Sequence, residues 1–593
     1  MNASAAAHAG SVISIFPQRK TKQMAPKKDP KSGGFNDRLT SYGDAAFSKY
    51  LRTVFLKSMG YTDDALDRPI IGIANTYSAY NSCHATVPKL MEAIKRGVML
   101  AGGLPFEFPV ISLHESFSYP TSMYLRNLMS MDTEEMIRAQ PMDAVVLIGG
   151  CDKTVPALVM GAASANTPAI LEVTGPMLTG SYQGVRVGAC TDCRSFWAKY
   201  RAGEIQEEQL PDITDQLGPT PGTCMVMGTA STMALMSEAL GIMLPGGATI
   251  PAVMSQRLRH AEQTGAQAVA MAGGNQTLDK IITKGSVENA LRVLLAIGGS
   301  TNGLIHLTAM AGRLGIDISL ERVDELSQET PVIVDLKPSG EHYMQELHEA
   351  GGFATILRTL APLLDMDQKT VSGQTLQETL DAAPQWDQTV VKPLNDPLSS
   401  EGGLAVLRGN LAPGGAIIKQ SASSDALRAH TGKAIVFDSV EDLASRIDDP
   451  DLDVTKEDIL VMRNAGPIGA PGMPEAGYLP IPKKLAQAGV KDMVRISDAR
   501  MSGTAFGSIV LHVTPEAAIG GPLSLIETGD TVTLDIPNRR LDVALSAEEL
   551  GKRKVIRDKK PRREVPERGY ARLLENSILQ ADKGCDFDFL LPT

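Results

Sequence analysis

Between about Asp67 and Gly184, short apolar segments alternate with segments whose apolar residues have helical spacing. The predicted strands are residues 68–74, 106–113, 143–148 and 169–174. The predicted helices between them are residues 85–101, residues 123–139 and a segment from about Pro156. Because neighbouring parallel strands need long crossover connections, usually helices, this alternation predicts an α/β fold with a parallel sheet covered by helices.

Polar side chains follow three of these predicted strands. They are Asn75 and Thr76 after the first strand, His114 and Glu115 after the second, and Cys151, Asp152 and Lys153 after the third. In open parallel sheets the ligand site lies beyond the carboxyl ends of the strands. The sequence therefore predicts that three strands deliver reactive side chains to one edge of the sheet.

From about Glu401 onward, the predicted elements are mainly short strands rather than helices. Short strand candidates, separated by frequent Gly and Pro, are residues 404–407, 416–419, 434–437, 459–462, 493–496, 508–513 and 531–535. This pattern is typical of a β-rich, barrel-like domain, here expected to be flanked by helices. Since 593 residues are too many for one ordinary core, we predict a leader at 1–34, an α/β domain at 35–390 that binds the cofactors, and a C-terminal barrel-like domain at 391–593.

Composition and charge exclude several classes of protein. The net charge of −11 argues against a nucleic-acid surface, because phosphate binding needs a basic face. No apolar run approaches the length needed to span a membrane. Six cysteines in so long a chain indicate a reducing compartment, and we expect the cytoplasm. Residues 1–34, rich in Ala, Ser and Lys, are interpreted as a disordered leader, with a transit peptide as the alternative.

The cysteines divide into two groups by their surroundings. Cys190 and Cys193 form a C-x-x-C pair, but no second pair completes a tetrahedral zinc site. A redox motif would lie at a strand-to-helix junction, whereas this pair follows a Gly-containing stretch, so we interpret it as part of a surface or partly buried loop. Cys83, Cys151 and Cys224 lie in polar turns beside a predicted sheet edge or helix start. A lone cysteine is usually a small buried apolar residue, and three in such turns weaken that interpretation.

Candidate oxygen ligands also lie in loops. Glu115, Asp152 and Glu475 would ordinarily be solvated surface groups, but Asp152 follows a buried-looking strand and adjoins a cysteine. Magnesium takes few carboxylates and keeps positions open for substrate oxygens. Lys153 is either a charge partner of such a site or, if carbamylated, an oxygen ligand. Ser502, in a Gly-containing turn after a strand, is a capping residue unless a metal or a charge activates it as a base.

Five longer segments resemble blocks of the dihydroxy-acid and sugar-acid dehydratase family. They read GCDKTVPALVMGAAS, GTCMVMGTASTM, AIGGSTNGLIHL, RGNLAPGGAIIK and ISDARMSGTAFG. The resemblance runs from about Arg68 to Leu591. Together with the segment GPMLTGSYQG, these blocks resemble those of the pentonate (L-arabinonate or D-xylonate) dehydratases more than those of the branched-chain biosynthetic enzyme. It implies a hydro-lyase that removes water from a 2,3-dihydroxy acid and yields a 2-keto-3-deoxy acid.

The resemblance also implies roles for single residues. An iron–sulfur cluster, acting as a Lewis acid, would be held by Cys83, Cys151 and Cys224. The presence of Cys83 favours [2Fe-2S] over [4Fe-4S], although Cys83-His84-Ala85-Thr86 departs from the usual C-N-x-H pattern. The Mg²⁺ ligands would be Glu115, Asp152, carbamylated Lys153 and Glu475, and the base that removes the C2 proton would be Ser502. Candidates for substrate contacts are Ser300, Thr301 and Asn302, and a homodimer or homotetramer is expected.

Two other functions stay open at this point. A dihydroxy-acid dehydratase of branched-chain amino-acid biosynthesis, or a promiscuous enzyme that accepts both kinds of acid, would act on the same 2,3-diol group. Its apolar substrate would need an aliphatic pocket, whereas a sugar acid needs several hydroxyl partners. A non-catalytic iron–sulfur redox protein is the alternative from another class, but such proteins usually give the cluster four protein ligands.

Overall fold

The structure, a computed structural model, describes residues 34–36, 42–274, 276–559 and 564–592. The predicted leader at 1–34 therefore lies outside the described residues, except for Gly34. Within the described ranges, no helix combines the length and the apolar character needed to cross a lipid bilayer.

The predicted parallel sheet is confirmed. Its strands are β1 (Ile70–Asn75), β2 (Leu104–Pro109), β3 (Ala144–Gly149) and β4 (Ala169–Val173). They pair in parallel in the order β2-β1-β3-β4. The central strands β1 and β3 consist almost wholly of buried residues, as expected for parallel strands covered by helices. A short hairpin, β5 (Gly180–Tyr182) and β6 (Val185–Val187), follows the sheet in the chain.

Helices cover this sheet and form most of the remaining N-terminal half. They are α1 (Ala45–Ser58), α2 (Asp63–Leu66), α3 (Val87–Leu100), α4 (Ser122–Ala139), α5 (Thr154–Ala165), α6 (Thr191–Ala202), α7 (Leu210–Leu217), α8 (Thr229–Ala239), α9 (Ser255–Met271), α10 (Leu278–Ile281), α11 (Lys284–Ala296), α12 (Thr301–Gly312), α13 (Leu320–Glu329), α14 (Met344–Glu349), α15 (Phe353–Leu360) and α16 (Leu376–Asp381). Residues 154–163 of α5 are all buried, because this helix is apolar or small on every side. It packs between the sheet and the helices α4, α8 and α12, which fixes its N-terminus at the edge of the sheet.

The C-terminal half contains a second, mixed sheet that is nearly a barrel, as predicted. Its strands are β7 (Ala405–Leu407), β8 (Gly415–Ile418), β9 (Ala429–Phe437), β10 (Ile459–Met462), β11 (Arg495–Ser497), β12 (Ile509–Thr514), β13 (Thr531–Asp535) and β14 (Arg540–Val543). The order is β14-β13-β9-β10-β11-β12-β8-β7. An isolated bridge between Arg408 and Arg540 joins the two outer strands, so the sheet curls back on itself.

Short helices flank this second sheet. They are α17 (Val440–Arg446), α18 (Lys483–Gln487), α19 (Ala547–Asp558) and α20 (Gly569–Ser577). The domain boundary at 390/391 stays a prediction. Val391 and Ser399 pair with Val334 and Val332 of the N-terminal half through isolated bridges, so the chain leaves that half gradually before β7 begins.

Buried arginines of the N-terminal half bind the C-terminal segment of the chain. Arg126 of α4 donates hydrogen bonds of 2.8 Å to the carbonyl oxygens of Gly584 and Cys585. Arg313, which follows α12, pairs with the buried carboxylate of Asp586. Because an unpaired buried guanidinium is strongly unfavourable, these contacts hold residues 584–586 firmly against the N-terminal half.

Candidate active site

The turn between β3 and α5 places two adjacent reactive side chains, Cys151 and Asp152, at the carboxyl edge of the first sheet. Cys151 is buried and Asp152 is half-buried. The turn needs Gly150, because a Cβ atom at this position would lie 1.8 Å from the hydroxyl oxygen of Thr174. A sulfur and a carboxylate therefore leave neighbouring backbone positions in a turn that has little freedom to move.

His84 holds the Cys83 segment against this turn. Its Nε2 accepts hydrogen bonds from the backbone N–H groups of Gly150 (3.0 Å) and Cys151 (3.2 Å). Its Nδ1 lies 2.9 Å from the carbonyl oxygen of Thr76 and is therefore the protonated nitrogen. Burial lowers the pKa of His84 to about 4, which keeps the ring neutral at pH 7. The residue that departs from the usual family pattern thus connects two predicted cluster ligands.

The structure places two of the three predicted cluster cysteines side by side and the third, Cys224, nearby. The Sγ atoms of Cys83 and Cys151 and a ring nitrogen of His114 lie within 4.8 Å of one another. The hydrogen bond that the Cys83 thiol donates to the Cys151 side chain, together with burial, raises the pKa of Cys83. Cys224 lies close enough that the charge of Cys151 contributes to its raised pKa, after a hydrogen bond with Cys190 and burial. These residues form a largely buried group of sulfur ligands.

The C-x-x-C pair also lies in this region: Cys190 is in a half-buried turn, as the loop interpretation expected, whereas Cys193 lies in a helix. Cys190 is the third residue after β6 ends and directly precedes α6, and Cys193 lies in the first turn of that helix. The pair therefore lies at a strand-to-helix junction. The strand was missed because β6 is only three residues long and has Arg186 at its centre. Cys190 Sγ is 3.3 Å from Cys224 Sγ, and hydrogen bonds with Cys193 and Cys224 hold the pKa of Cys190 well below its usual value.

The predicted carboxylates form a second group beside the sulfurs. Oxygens of Glu115, Asp152 and Glu475 lie within 4.8 Å of one another. The fully buried Lys153 ammonium lies among them, 3.4 Å from Glu115 Oε2, 3.4 Å from Glu475 Oε1 and in direct contact with Asp152. Burial acts against the ammonium, but the three carboxylates outweigh it and raise the pKa of Lys153.

A second cation, Arg500, was not predicted as a site residue. Its Nη1 is 2.6 Å from Glu475 Oε1 and its Nη2 is 3.2 Å from Glu115 Oε1. Burial would raise the pKa of Glu115, but Arg500 and Lys153 more than offset it and hold that pKa below its usual range. Burial raises the pKa of Glu475. Lys153 and Arg500 thus balance the negative charge of the three carboxylates. A divalent cation could balance the same charge.

The predicted substrate residues lie at the start of α12, and all three are buried. Ser300 caps this helix by accepting a hydrogen bond from the backbone N–H of Asn302. The Asn302 side-chain nitrogen lies 3.1 Å from the Met501 carbonyl and 3.4 Å from Glu475 Oε1. The Asn302 Oδ1 and Thr301 Oγ1 atoms have no hydrogen-bond partner among the described residues. Unsatisfied buried oxygens beside a carboxylate group fit a site that binds a polar ligand or a metal ion.

Ser502 lies in the turn between β11 and β12, close to the start of α12. Its Oγ is 2.9 Å from Thr504 Oγ1. The next residue must be glycine, because a Cβ atom at Gly503 would lie 2.5 Å from Ser300 Cβ. The Gly503 carbonyl accepts a hydrogen bond of 3.2 Å from Lys419 Nζ. The serine turn is therefore fixed between the two halves of the chain.

Lys419 gives the first testable prediction, because burial lowers its pKa to about 7 from an ordinary value of 10.5. Between these pH values the unfolded chain binds more protons than the folded one, so this residue makes wild-type stability rise with pH. Lys419 contributes up to about 1.4 kcal/mol per pH unit to the rise of the free energy of unfolding with pH. We expect Lys419→Met to remove this contribution. The free energy of unfolding of the variant, measured by urea denaturation, should therefore exceed that of wild type most at pH 7. The difference should shrink as the pH approaches 10.

The matched control is Lys552→Met, which removes a lysine of α19 whose side chain is 63% exposed. Its stability should change with pH in parallel with the wild-type protein. An unchanged pH slope in Lys419→Met would show that the buried amine does not lose its proton on folding.

Three residues with clear structural roles at the site were not assigned one from the sequence. Arg500 lies in the segment ISDARMSGTAFG and Lys419 lies in RGNLAPGGAIIK. A basic residue at the end of an apolar strand segment is unusual, and this could have indicated a role for each of them. His84 was noted only as a departure from the family pattern, and its two backbone contacts depend on the folded structure.

Comparison with protein families gives matches along most of the chain. A model of the dihydroxy-acid/6-phosphogluconate dehydratase N-terminal region matches residues 68–379. The model of the corresponding C-terminal region matches residues 389–585. These ranges contain every predicted cluster ligand, metal ligand and base.

Relatives named as dehydratases align with most of this chain. An L-arabonate dehydratase of Azospirillum brasilense is 47% identical over 549 residues, which cover 91% of this chain and 94% of the relative. A 6-deoxy-6-sulfo-D-gluconate dehydratase of Pseudomonas putida is 44% identical over 531 residues, covering 89% and 91%. A dihydroxy-acid dehydratase of Ignicoccus hospitalis is 38% identical over 540 residues, covering 89% and 96%. The chain therefore belongs to the dihydroxy-acid/6-phosphogluconate dehydratase family and is a dehydratase, a carbon–oxygen hydro-lyase.

Proposed function

We propose that this protein dehydrates a 2,3-dihydroxy sugar acid, a pentonate, to its 2-keto-3-deoxy acid with an iron–sulfur cluster and Mg²⁺. The observation that carries the proposal is the contact between the two ligand groups. Cys151 and Asp152 are consecutive residues, yet one belongs to the sulfur group and the other to the carboxylate group. A single small acid placed at this turn can reach both groups at once.

The residues fit both cofactors. Thiolates are the ligands that iron–sulfur clusters use, and carboxylate and amide oxygens suit Mg²⁺. We assign the cluster to Cys83, Cys151 and Cys224, and by family resemblance prefer [2Fe-2S] to [4Fe-4S]. We assign Mg²⁺ to Glu115, Asp152 and Glu475. When bound, the cluster supplies a Lewis-acidic iron for the departing C3 hydroxyl and Mg²⁺ supplies positive charge for the acid's oxygens.

Lys153 is the proposed fourth residue of the magnesium site, as a carbamate. A lysine reacts with carbon dioxide only through its neutral amine. The three carboxylates now favour the ammonium form, but complete burial of the side chain opposes it. A divalent cation competes with the ammonium for the same carboxylates. Metal binding would therefore release the proton and favour the carbamate.

Ser502 is the residue that we assign to removal of the C2 proton. A serine hydroxyl is a weak base at its ordinary pKa, so it needs a positive environment to act. The serine turn carries Arg500 two residues earlier, and its Gly503 carbonyl is bound by Lys419. Asn302 holds the same turn through the Met501 carbonyl. These contacts fix the hydroxyl in place, and the buried surroundings limit access of water.

The choice between a sugar acid and an apolar dihydroxy acid rests on two observations. The relatives named for sugar acids are 44–47% identical to this chain, whereas the dihydroxy-acid dehydratase of Ignicoccus hospitalis is 38% identical. The unsatisfied oxygens of Thr301 and Asn302 can also serve as partners for sugar hydroxyls. Both observations favour a polyhydroxy substrate.

A substrate panel tests this choice. Enzyme reconstituted anaerobically with iron, sulfide and Mg²⁺ is assayed for kcat/KM with L-arabinonate, D-xylonate, D-gluconate and 2,3-dihydroxyisovalerate. We expect a pentonate to be the best substrate, with lower rates for the others. Dihydroxyisovalerate as the best substrate would contradict the pentonate proposal in favour of the biosynthetic reaction. Removal of Mg²⁺ with a chelator is the control and should abolish the rate with every acid.

We also propose that the protein forms a homodimer or homotetramer and is located in the cytoplasm. We place the division between its two domains at 390/391. An apolar face of α1 supports association, because Phe47, Tyr50, Val54 and Phe55 are between 43% and 63% exposed. Light scattering measures the assembly, and a mass near the 63.2 kDa of one chain would contradict it.

A further inference from the structure

The thiols of the site form two pairs rather than a group of three. In the first pair, the Sγ atoms of Cys83 and Cys151 lie within 4.8 Å of each other. In the second pair, Cys190 Sγ and Cys224 Sγ are 3.3 Å apart. Two thiolates on one tetrahedral metal, with metal–sulfur bonds of about 2.3 Å, lie roughly 3.8 Å apart. A shift of about half an ångström would therefore allow Cys190 and Cys224 to share one iron.

The start of α6 is held in a position where Cys190 can act. The side chain of Asp192 accepts a hydrogen bond from the Tyr343 hydroxyl (2.8 Å) and pairs with Lys337 (2.9 Å). The Thr191 hydroxyl donates a bond of 3.0 Å to the Thr504 carbonyl in the serine turn. The residues directly after Cys190 are thus attached both to the N-terminal half and to the turn that carries the proposed base.

We propose that Cys190 is a fourth, exchangeable sulfur ligand of the cluster, which occupies the open iron position in the substrate-free enzyme and yields it to the substrate's hydroxyl. This inference rests on the proposed function. The exchange transfers no electron: the sulfur leaves as a thiolate and an oxygen donor takes its place. Cys190 is only half-buried, unlike Cys83 and Cys151, so its side chain has room to move away.

Cys193, three residues after Cys190 and in the first turn of α6, provides a control. It is also half-buried, but it packs against the apolar cluster of Val187, Ile213 and Leu217. Cys193→Ala therefore tests whether removing a thiol near the start of α6 is enough to alter the cluster, even when that thiol is not the proposed ligand.

The test measures the ligands of the cluster directly. Wild type, Cys190→Ala and Cys193→Ala are reconstituted anaerobically, reduced and examined by electron paramagnetic resonance in water enriched in ¹⁷O. In the absence of substrate we expect no ¹⁷O coupling in wild type and Cys193→Ala, and a clear ¹⁷O coupling in Cys190→Ala at equal iron and sulfide content. Addition of the best acid from the panel should change the wild-type spectrum.

Several results would overturn the inference. They are ¹⁷O coupling in substrate-free wild type, a Cys190→Ala spectrum identical to that of wild type, and a wild-type spectrum that substrate leaves unchanged. A Cys190–Cys224 disulfide, found by mass mapping of cluster-loaded enzyme, would do the same. The wild-type measurement decides the question even if Cys190→Ala fails to fold. Wild type that takes up no iron and sulfide would instead overturn the proposed function itself.

Discussion

Replacing Cys151 with serine is expected to abolish the cluster and the dehydratase activity together. Cys151 is buried and stands next to Asp152 of the carboxylate group, so the substitution removes a thiolate at the point where the two ligand groups meet. Loss of a residue that only supports a metal ligand costs about 10–100-fold in metal affinity or activity, and loss of a ligand itself should exceed this. The backbone bonds to His84 do not involve the sulfur, so the turn itself should survive.

The measurements for Cys151→Ser are cluster absorbance, iron and sulfide content, and turnover with the best acid of the panel. Cys585→Ala is the control, because Cys585 is also buried but lies in a separate apolar cluster with Met473 and Ile305. It should keep both the cluster and the activity. Full activity of Cys151→Ser without a cluster would rule out the proposed chemistry.

Ser502→Ala is expected to keep the cluster and lose turnover. The Ser502 hydroxyl contacts Thr504 and is not part of the sulfur or carboxylate groups, so cofactor binding should be unaffected. A positioned acid or base typically contributes about 10²–10⁴-fold to the rate. We therefore expect kcat to fall by that factor while KM changes little, since the residues assigned to the cofactors remain.

Steady-state kinetics and iron content of the same preparation test this prediction. Ser524→Ala serves as the control, because the Ser524 hydroxyl bonds only locally, to the Gly521 carbonyl at 2.7 Å. Normal turnover by Ser502→Ala would place the base elsewhere. Loss of the cluster in this variant would instead make the serine a structural residue.

Much of the fold could be predicted because the strand signals are local. The apolar segments that follow Asp67 and Asp143 became β1 and β3 with bounds that differ by one or two residues. β6 and β14 were missed because strands of three or four residues with charged side chains carry little apolar signal. The closure of the second sheet through Arg408 and Arg540 depends on contacts between distant residues, which no local pattern encodes.

The candidate site divides in the same way. Cys151 and Asp152 were found by reasoning about strand ends alone, because a parallel sheet delivers such residues to one edge. Glu475 was noted only as a carboxylate in a loop, and its assignment to the magnesium site came from family resemblance, since it reaches the site from the C-terminal half. Arg500 was not recognised because one of its partners, Glu115, lies 385 residues away, and the contact of Cys190 with Cys224, 34 residues away, likewise appears only in the folded chain.

The binding of residues 584–586 by Arg126 and Arg313 also sets an order of events during translation. Arg126 precedes its partner Gly584 by 458 residues. At roughly 5–20 residues per second, a ribosome takes on the order of 20–90 s to cover that distance. By the end of this interval all four cysteines of the sulfur group have been synthesised, whereas the Gly584 and Cys585 carbonyls that Arg126 binds are only then added to the chain. The half that emerges first from the ribosome thus receives two of its buried hydrogen-bond acceptors only when nearly the whole chain has been made.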